Sequence, residues 1–208
     1  RLSGSDGRDG LLCYVCAVLD DAANDRVPAA WRKPGSRKDG IMSNFDMSAF
    51  AHEYATIEDL SRWADSVMSS RPADFVIGGD YLERWYVVPR SGFCNVYLHR
   101  FRRGDDDRAL HDHPWDNTSV VISGRYVEVT PEGEFLREAG AVISRPATAR
   151  HRVVLLPDDN WPVVTLFFTG PKVRDWGFWC GPDGERFVPW EEFTAPGDPG
   201  SIGPGCGE

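Results

Sequence analysis

The chain has 208 residues, 41% of them hydrophobic, and a formal net charge of −9. That length suits one domain with an extension, and the apolar fraction is enough to build a core. The acidic balance excludes a general nucleic-acid-coating role, because phosphate binding draws on clustered Lys and Arg, and no apolar run of about eighteen residues is present to span a membrane as a helix.

Residues 1–41 mix Gly, Ser, Asp, Arg and Pro around one short apolar patch with no sustained period, and read as a flexible extension. Met42 opens a better organised stretch, which predicts that the working protein begins near it. Cys13 and Cys16 form a C-x-x-C pair without the two further ligands that structural zinc needs. The chain's five cysteines are an odd, scattered set, which suits a reducing cytoplasm better than a disulfide framework.

In segment 42–74, Ile57, Leu60, Trp63, Ala64, Val67 and Met68 recur at helical spacing behind a capping-box start at Thr56 and Asp59. This predicts one amphipathic helix, stopped before Pro72, whose apolar stripe packs on the outside of the domain. From residue 75 the pattern changes to short runs separated by turn signals, with strands expected over 81–88, 94–101, 109–113, 119–122, 125–130, 141–144, 151–155 and 163–169. Fifteen prolines and twenty-one glycines fit that reading, an all-β barrel or jelly roll that shortens its own edges. Trp176, Phe178, Trp179, Phe187 and Trp190 make an aromatic closing segment that covers one edge or end and suits a homodimer contact. Residues 194–208 are rich in Gly and Pro and read as a disordered tail.

The chemistry concentrates in His111, His113 and His151. Side chains alternate along a strand, so His111 and His113 share a face while Asp112 points away. With His151 they form an imidazole set that divalent iron, manganese, nickel, copper or zinc accepts. A neutral set of three leaves the ion's charge uncompensated, favouring an anionic small-molecule substrate or hydroxide as the next ligand.

His99 ends the preceding strand, on the same face as Asn95 and Tyr97, where it serves as a fourth ligand, a base or a hydrogen-bonded structural residue. Arg84 and Arg100 are the chosen clamps for a carboxylate or phosphate, Trp115 a wall of the pocket, and Asn117 a weak ligand or a partner of metal-bound water. The acidic run Asp105-Asp106-Asp107 reads as a solvated turn. No P-loop, dinucleotide fingerprint or serine-nucleophile elbow occurs.

These residues resemble the two short motifs of the cupin superfamily. His111, His113 and Gly124 match the first, with Asn117 where a Glu is usual, and Gly140, Pro146 and His151 match the second, with Thr148 in place of a Gly. Over roughly residues 75–193, runs such as Arg84-Trp85-Tyr86, Tyr97-Leu98-His99-Arg100-Phe101 and Leu110-His111-Asp112-His113-Pro114-Trp115 resemble cupin-like proteins often encoded by bacteriophages. The resemblance implies a cupin-type double-stranded β-helix (jelly-roll) barrel over 75–193 with an N-terminal amphipathic helix, and one metal on His111, His113 and His151, Fe(II) favoured. The resemblance brings no established activity with it; the three-His site leads to the expectation of an oxygenase acting on a small polar substrate, a nucleotide or nucleobase if the phage-like resemblance reflects origin. Use of 2-oxoglutarate is disfavoured, because His113 stands where that class carries Asp and Trp161 where it carries Arg. The alternatives are a cupin-type epimerase that works without metal, with a His base and Tyr97 or Tyr126 as acid, and a non-enzymatic binding barrel with a structural metal.

Overall fold

A computed structural model describes residues 56–105, 108–156 and 162–207. The expected N-terminal arm, Met42 and the Cys13–Cys16 pair lie outside the described residues. Helix α1 (Ile57–Ser70) begins as the sequence predicts: the Thr56 hydroxyl accepts from the Asp59 amide at 3.1 Å, and the Asp59 carboxylate accepts from the Thr56 amide at 3.2 Å. Its buried stripe, Leu60 and Ala64, packs on Trp85, Leu98, Val120 and Leu166. Those four side chains belong to one face of a sheet, and the helix covers that face from outside.

The sheet is formed by β1 (Phe75–Ile77), β2 (Leu82–Tyr86), β3 (Asn95–Phe101), β5 (Asn117–Ser123), β8 (Val142–Arg145) and β10 (Val163–Thr169), in the order β1-β2-β3-β10-β5-β8. Opposite it lie β7-β6-β9 and β12-β11-β4, made of β4 (Leu110–His111), β6 (Arg125–Thr130), β7 (Gly133–Glu138), β9 (Arg152–Leu155), β11 (Gly177–Cys180) and β12 (Arg186–Pro189). An antiparallel bridge between His111 and His151 joins these two groups into one layer. All pairings are antiparallel, and the two layers form the jelly-roll barrel expected from the sequence.

Alternation decides what each layer shows to the inside. In the first sheet, Leu98 and Leu166 pair and face the helix, while His99 pairs with Thr165 and Arg84, and these face the interior. Gly124, at φ 74°, makes the β5 to β6 turn, and a Cβ there would stand 2.9 Å from the Pro162 carbonyl oxygen. Strand β7 went unread because its outward residues are exposed and charged or apolar at a barrel edge, without a clean buried alternation.

The expected disordered tail is corrected. After the short helix α2 (Trp190–Phe193), β13 (Thr194–Ala195) and β14 (Asp198–Ile202) form a ribbon. Two features the composition hides hold it down. Gly200 packs so tightly on β1 that a Cβ would lie 2.4 Å from the Ile77 methyl, and Asp198 accepts from the Gly78 amide at 3.0 Å. Cys206 is also disulfide-bonded to Cys180 on β11, which overturns the reading of the cysteines as an unpaired set. Cys94 is free and exposed.

Candidate metal centre and its cavity

Between the layers lies a cavity of about 290 Å³. His111, His113 and His151 line it, each offering one ring nitrogen, and the three nitrogens lie within 4.8 Å of one another. Their ring centroids are 4.7 to 5.1 Å apart.

Local structure explains the convergence. The backbones of His111 and His151 exchange hydrogen bonds at 2.8 and 2.9 Å across the bridge that unites the second layer. The expected strand over 109–113 stops at His111, yet His113 still faces inward, because Asp112 is fastened on the opposite side. The buried Asp112 carboxylate accepts from the Gly177 amide at 3.0 Å, the Trp179 indole at 2.9 Å and the Arg174 guanidinium. Beyond Pro114, Asp116 accepts from the Ala147 amide at 2.7 Å, and the Ala147 carbonyl accepts from the His113 amide at 3.1 Å. These contacts tie the loop carrying His113 to the loop carrying His151.

The carboxylate missing from position 117 is supplied behind the ring of His151. Glu128, 1% exposed on β6, meets His151 Nδ1 at 2.9 Å and also accepts from Arg145 and Arg137. Burial works to raise its carboxyl, but His151 and Arg145 outweigh burial and hold it at about 2. An ionised carboxylate only accepts, so Nδ1 of His151 carries the proton and its Nε2 lone pair faces the cavity. That lone pair meets Nε2 of His113 at 2.9 Å, a contact satisfied by a proton on His113 or by a cation shared between the rings. Asp105 stands behind His111, its Oδ2 3.5 Å from Nδ1, and accepts from the Tyr81 hydroxyl and, at 2.6 Å, from the Val153 amide. Asp105 therefore belongs to the site, not to a solvated turn.

Burial, helped by the neighbouring imidazoles and by Arg145, pushes His113 well below its ordinary value; burial, against the pull of Glu128, takes His151 down to about 4. Both rings are neutral at ordinary pH. The donor set thus fits a divalent transition ion: three converging imidazoles, one of them held by a carboxylate at its outer nitrogen and a second with a carboxylate behind it, a pattern that fixes ring orientation and raises ligand basicity.

The other expected site residues divide. Arg84, His99, Trp115 and Tyr126 line the cavity. Trp115 stacks on His113 with ring centroids 5.3 Å apart. Tyr126 lies beside Arg145, and burial raises its hydroxyl. His99 is separate from the ligand group: its Nε2 accepts from Arg84 Nε at 2.8 Å, so that lone pair serves neither a metal nor a substrate proton, and burial next to Arg84 keeps the ring neutral. Tyr97 is stacked on His99 beneath Arg84 and does not line the cavity.

Arg100 and Asn117 are corrected. Arg100 alternates to the outer face, where it pairs with Glu83 at 2.5 Å and lies over Trp85. Asn117 is buried outside the cavity, its amide nitrogen donating to the Trp115 carbonyl at 3.4 Å and its Oδ1 without a partner among the described residues. Glu128, Asp105 and Arg145 were missed. The available signal was Glu128 itself, an acidic residue alternating with Tyr126 on the inward side of a strand.

No family model and no curated protein matches the chain. Among solved structures, it is similar to a putative mannose-6-phosphate isomerase from Ralstonia eutropha at 22% identity, with 48% of this chain and 93% of that chain covered and a TM-score of 0.40. It is also similar to a cupin superfamily protein from Desulfitobacterium hafniense at 14% identity, covering 45% and 80%, with a TM-score of 0.37. A Streptomyces nucleoside dehydratase aligns at 15% identity over 55% of this chain and 84% of its own, with a TM-score of 0.38.

Proposed function

We propose that this chain is a metal-dependent enzyme acting on a small polar molecule, with His111, His113 and His151 as the ligands. The observation that carries this reading is the convergence of three imidazoles on one cavity, with Glu128 fixing the tautomer of His151. A divalent ion bound there supplies Lewis acidity, and iron in particular supplies oxygen activation. Three protein ligands leave coordination positions for substrate, whereas a structural site is closed by four. His99 does not close it, since its inward nitrogen is engaged by Arg84.

We assign mononuclear iron oxygenation ahead of isomerisation. The supporting features are the all-imidazole ligand set and the aromatic wall of Trp115, Phe167, Trp176 and Phe178, which gives the open positions apolar surroundings. The chain's own residues then orient and protect: Asp112 and Asp116 hold the histidine loops, Glu128 and Asp105 hold the rings, and Trp115 closes over His113. A second reading, metal-free isomerisation, is favoured by the Glu128–His151 pair at 2.9 Å, which has the form of a carboxylate-oriented base with Tyr126 on the same cavity as acid.

Substrate screening by oxygen uptake, with the chain reconstituted with Fe(II), tests the choice. Uptake dependent on a small polar substrate and abolished in His113→Ala is the expected result. Turnover that persists in that variant, or in chain stripped of metal, contradicts the oxygenase.

A further inference from the structure

We propose that Arg84 and Thr165 form an anion subsite in the cavity that takes the carboxylate of the substrate. The inference rests on the proposed function for the identity of the cavity, and deepens it by naming one end of the substrate.

The charge inventory of the cavity wall leads there. Among the described residues, three arginines line the cavity. Arg145 is neutralised by the buried Glu128, and Arg103 pairs with Asp80 at 3.1 Å while donating to the Gly200 carbonyl at 2.7 Å. Arg84 differs: among the described residues no carboxylate lies within 4.0 Å of it, and its hydrogen bond, from Nε, goes to the neutral ring of His99. Both terminal nitrogens are left without a protein acceptor among the described residues.

An unpaired charge partly taken out of water is costly, so an uncompensated half-buried guanidinium needs a reason to be kept. The surroundings pre-set its position. The guanidinium carbon lies 4.5 Å over the Tyr97 ring, His99 holds the Nε edge, and Tyr97 and His99 are themselves stacked. With Nε engaged, the remaining N–H groups form the planar fork that matches a carboxylate.

A second group points the same way. Thr165, 2% exposed on the neighbouring strand, has a hydroxyl with no hydrogen-bond partner among the described residues, and it lines the same cavity. The register places Arg84, His99 and Thr165 in one row across β2, β3 and β10. An orphaned hydroxyl and an uncompensated cation on one cavity wall, either side of His99, suit an oxyanion that reaches both.

Phe167 lines the cavity between this row and the three histidines, its ring 5.1 Å from His99 and 5.9 Å from His113. A substrate anchored by Arg84 would thus present its far end to the histidines across an apolar wall. One uncompensated positive charge matches a carboxylate better than a dianionic phosphate.

His99 is accordingly a positioning residue: it orients Arg84 and does not touch the reacting atoms.

The test is a titration of the intact, isotopically labelled chain with propionate and, separately, inorganic phosphate, followed by NMR at the Arg84 Nε–H and the Thr165 amide, with and without metal. Saturable shifts with propionate in both metal states are expected, with phosphate weaker. Arg84→Gln is expected to weaken propionate binding about ten-fold or more and Thr165→Val by less, with metal content unchanged in both. Arg84→Lys keeps the charge without the fork and should bind between the two.

Absence of a saturable shift at Arg84, or wild-type affinity in Arg84→Gln, overturns the subsite. Tighter binding of phosphate overturns the carboxylate assignment. Propionate binding in a chain that never takes up metal would sustain the subsite while removing the metal-dependent reading.

Discussion

Glu128 carries more of this site than any residue outside the three histidines. It orients His151, neutralises Arg145 and binds Arg137 from a position 1% exposed to solvent. Glu128→Gln should lose about 3–5 kcal/mol of stability, because Arg145 is then buried without a counter-charge, and chemical denaturation of metal-free protein measures it. The same change should weaken metal binding about 10–100-fold, read by competition with a chelator. Unchanged metal affinity in a folded variant would assign Glu128 to stability alone. The convergence of the three histidines was legible in the sequence because spacing and alternation act over a few residues. Their carboxylate partners were not: Glu128 lies 23 residues from His151, and only the pairing of β6 with β9 brings them together. Arg100 was misplaced for the opposite reason, since alternation sets it on the far side of β3 from His99.

Helix α1 and the C-terminal ribbon show two ways an element is fixed. The helix was legible down to its cap, since capping and amphipathic period are both local. Leu60→Ala should cost about 2–5 kcal/mol through the void left against Trp85 and Leu98, and Thr56→Ala about 1 kcal/mol through the lost cap, both measurable by urea unfolding. The ribbon was illegible because Gly and Pro content describes the local chain, whereas its order comes from tertiary contact. Phe193 stacks on Phe178 with centroids 3.7 Å apart, Gly200 fits against Ile77, and Cys206 is bonded to Cys180 across 26 residues. Serine at both cysteines should lower stability by about 3 kcal/mol, from the loop-closure entropy returned to the unfolded chain. Limited proteolysis should then cut first within β13 and β14. Cleavage elsewhere would show that the disulfide is dispensable to the ribbon.

At the scale of the whole molecule, two antiparallel layers enclose neutral histidines in a cavity and keep them from protonating. His99 and His113 are pushed well below 6.5, and His151 is lowered to about 4. As pH falls below 6.5, the unfolded chain binds protons that the folded chain does not, so metal-free stability should decline from there, by up to about 1.4 kcal/mol per pH unit for each histidine. The carboxyls of Glu83 and Glu128, each held at about 2 from an ordinary 4.5, add a further loss between those values. Urea unfolding at a series of pH values checks this; a flat profile from pH 6.5 to 4 would contradict the buried neutral state. The barrel itself was legible from strand length, turn chemistry and alternation, which determine how a chain of short strands closes. The cavity's inner chemistry needed the register of six paired strands. The most direct test of the account is the metal content of protein purified without oxygen, wild type beside His111→Ala, His113→Ala and His151→Ala. Close to one equivalent of a divalent transition ion in the wild type, lost in each variant while the fold persists, is the predicted result; a metal-free wild type, or full metal in the variants, would contradict it.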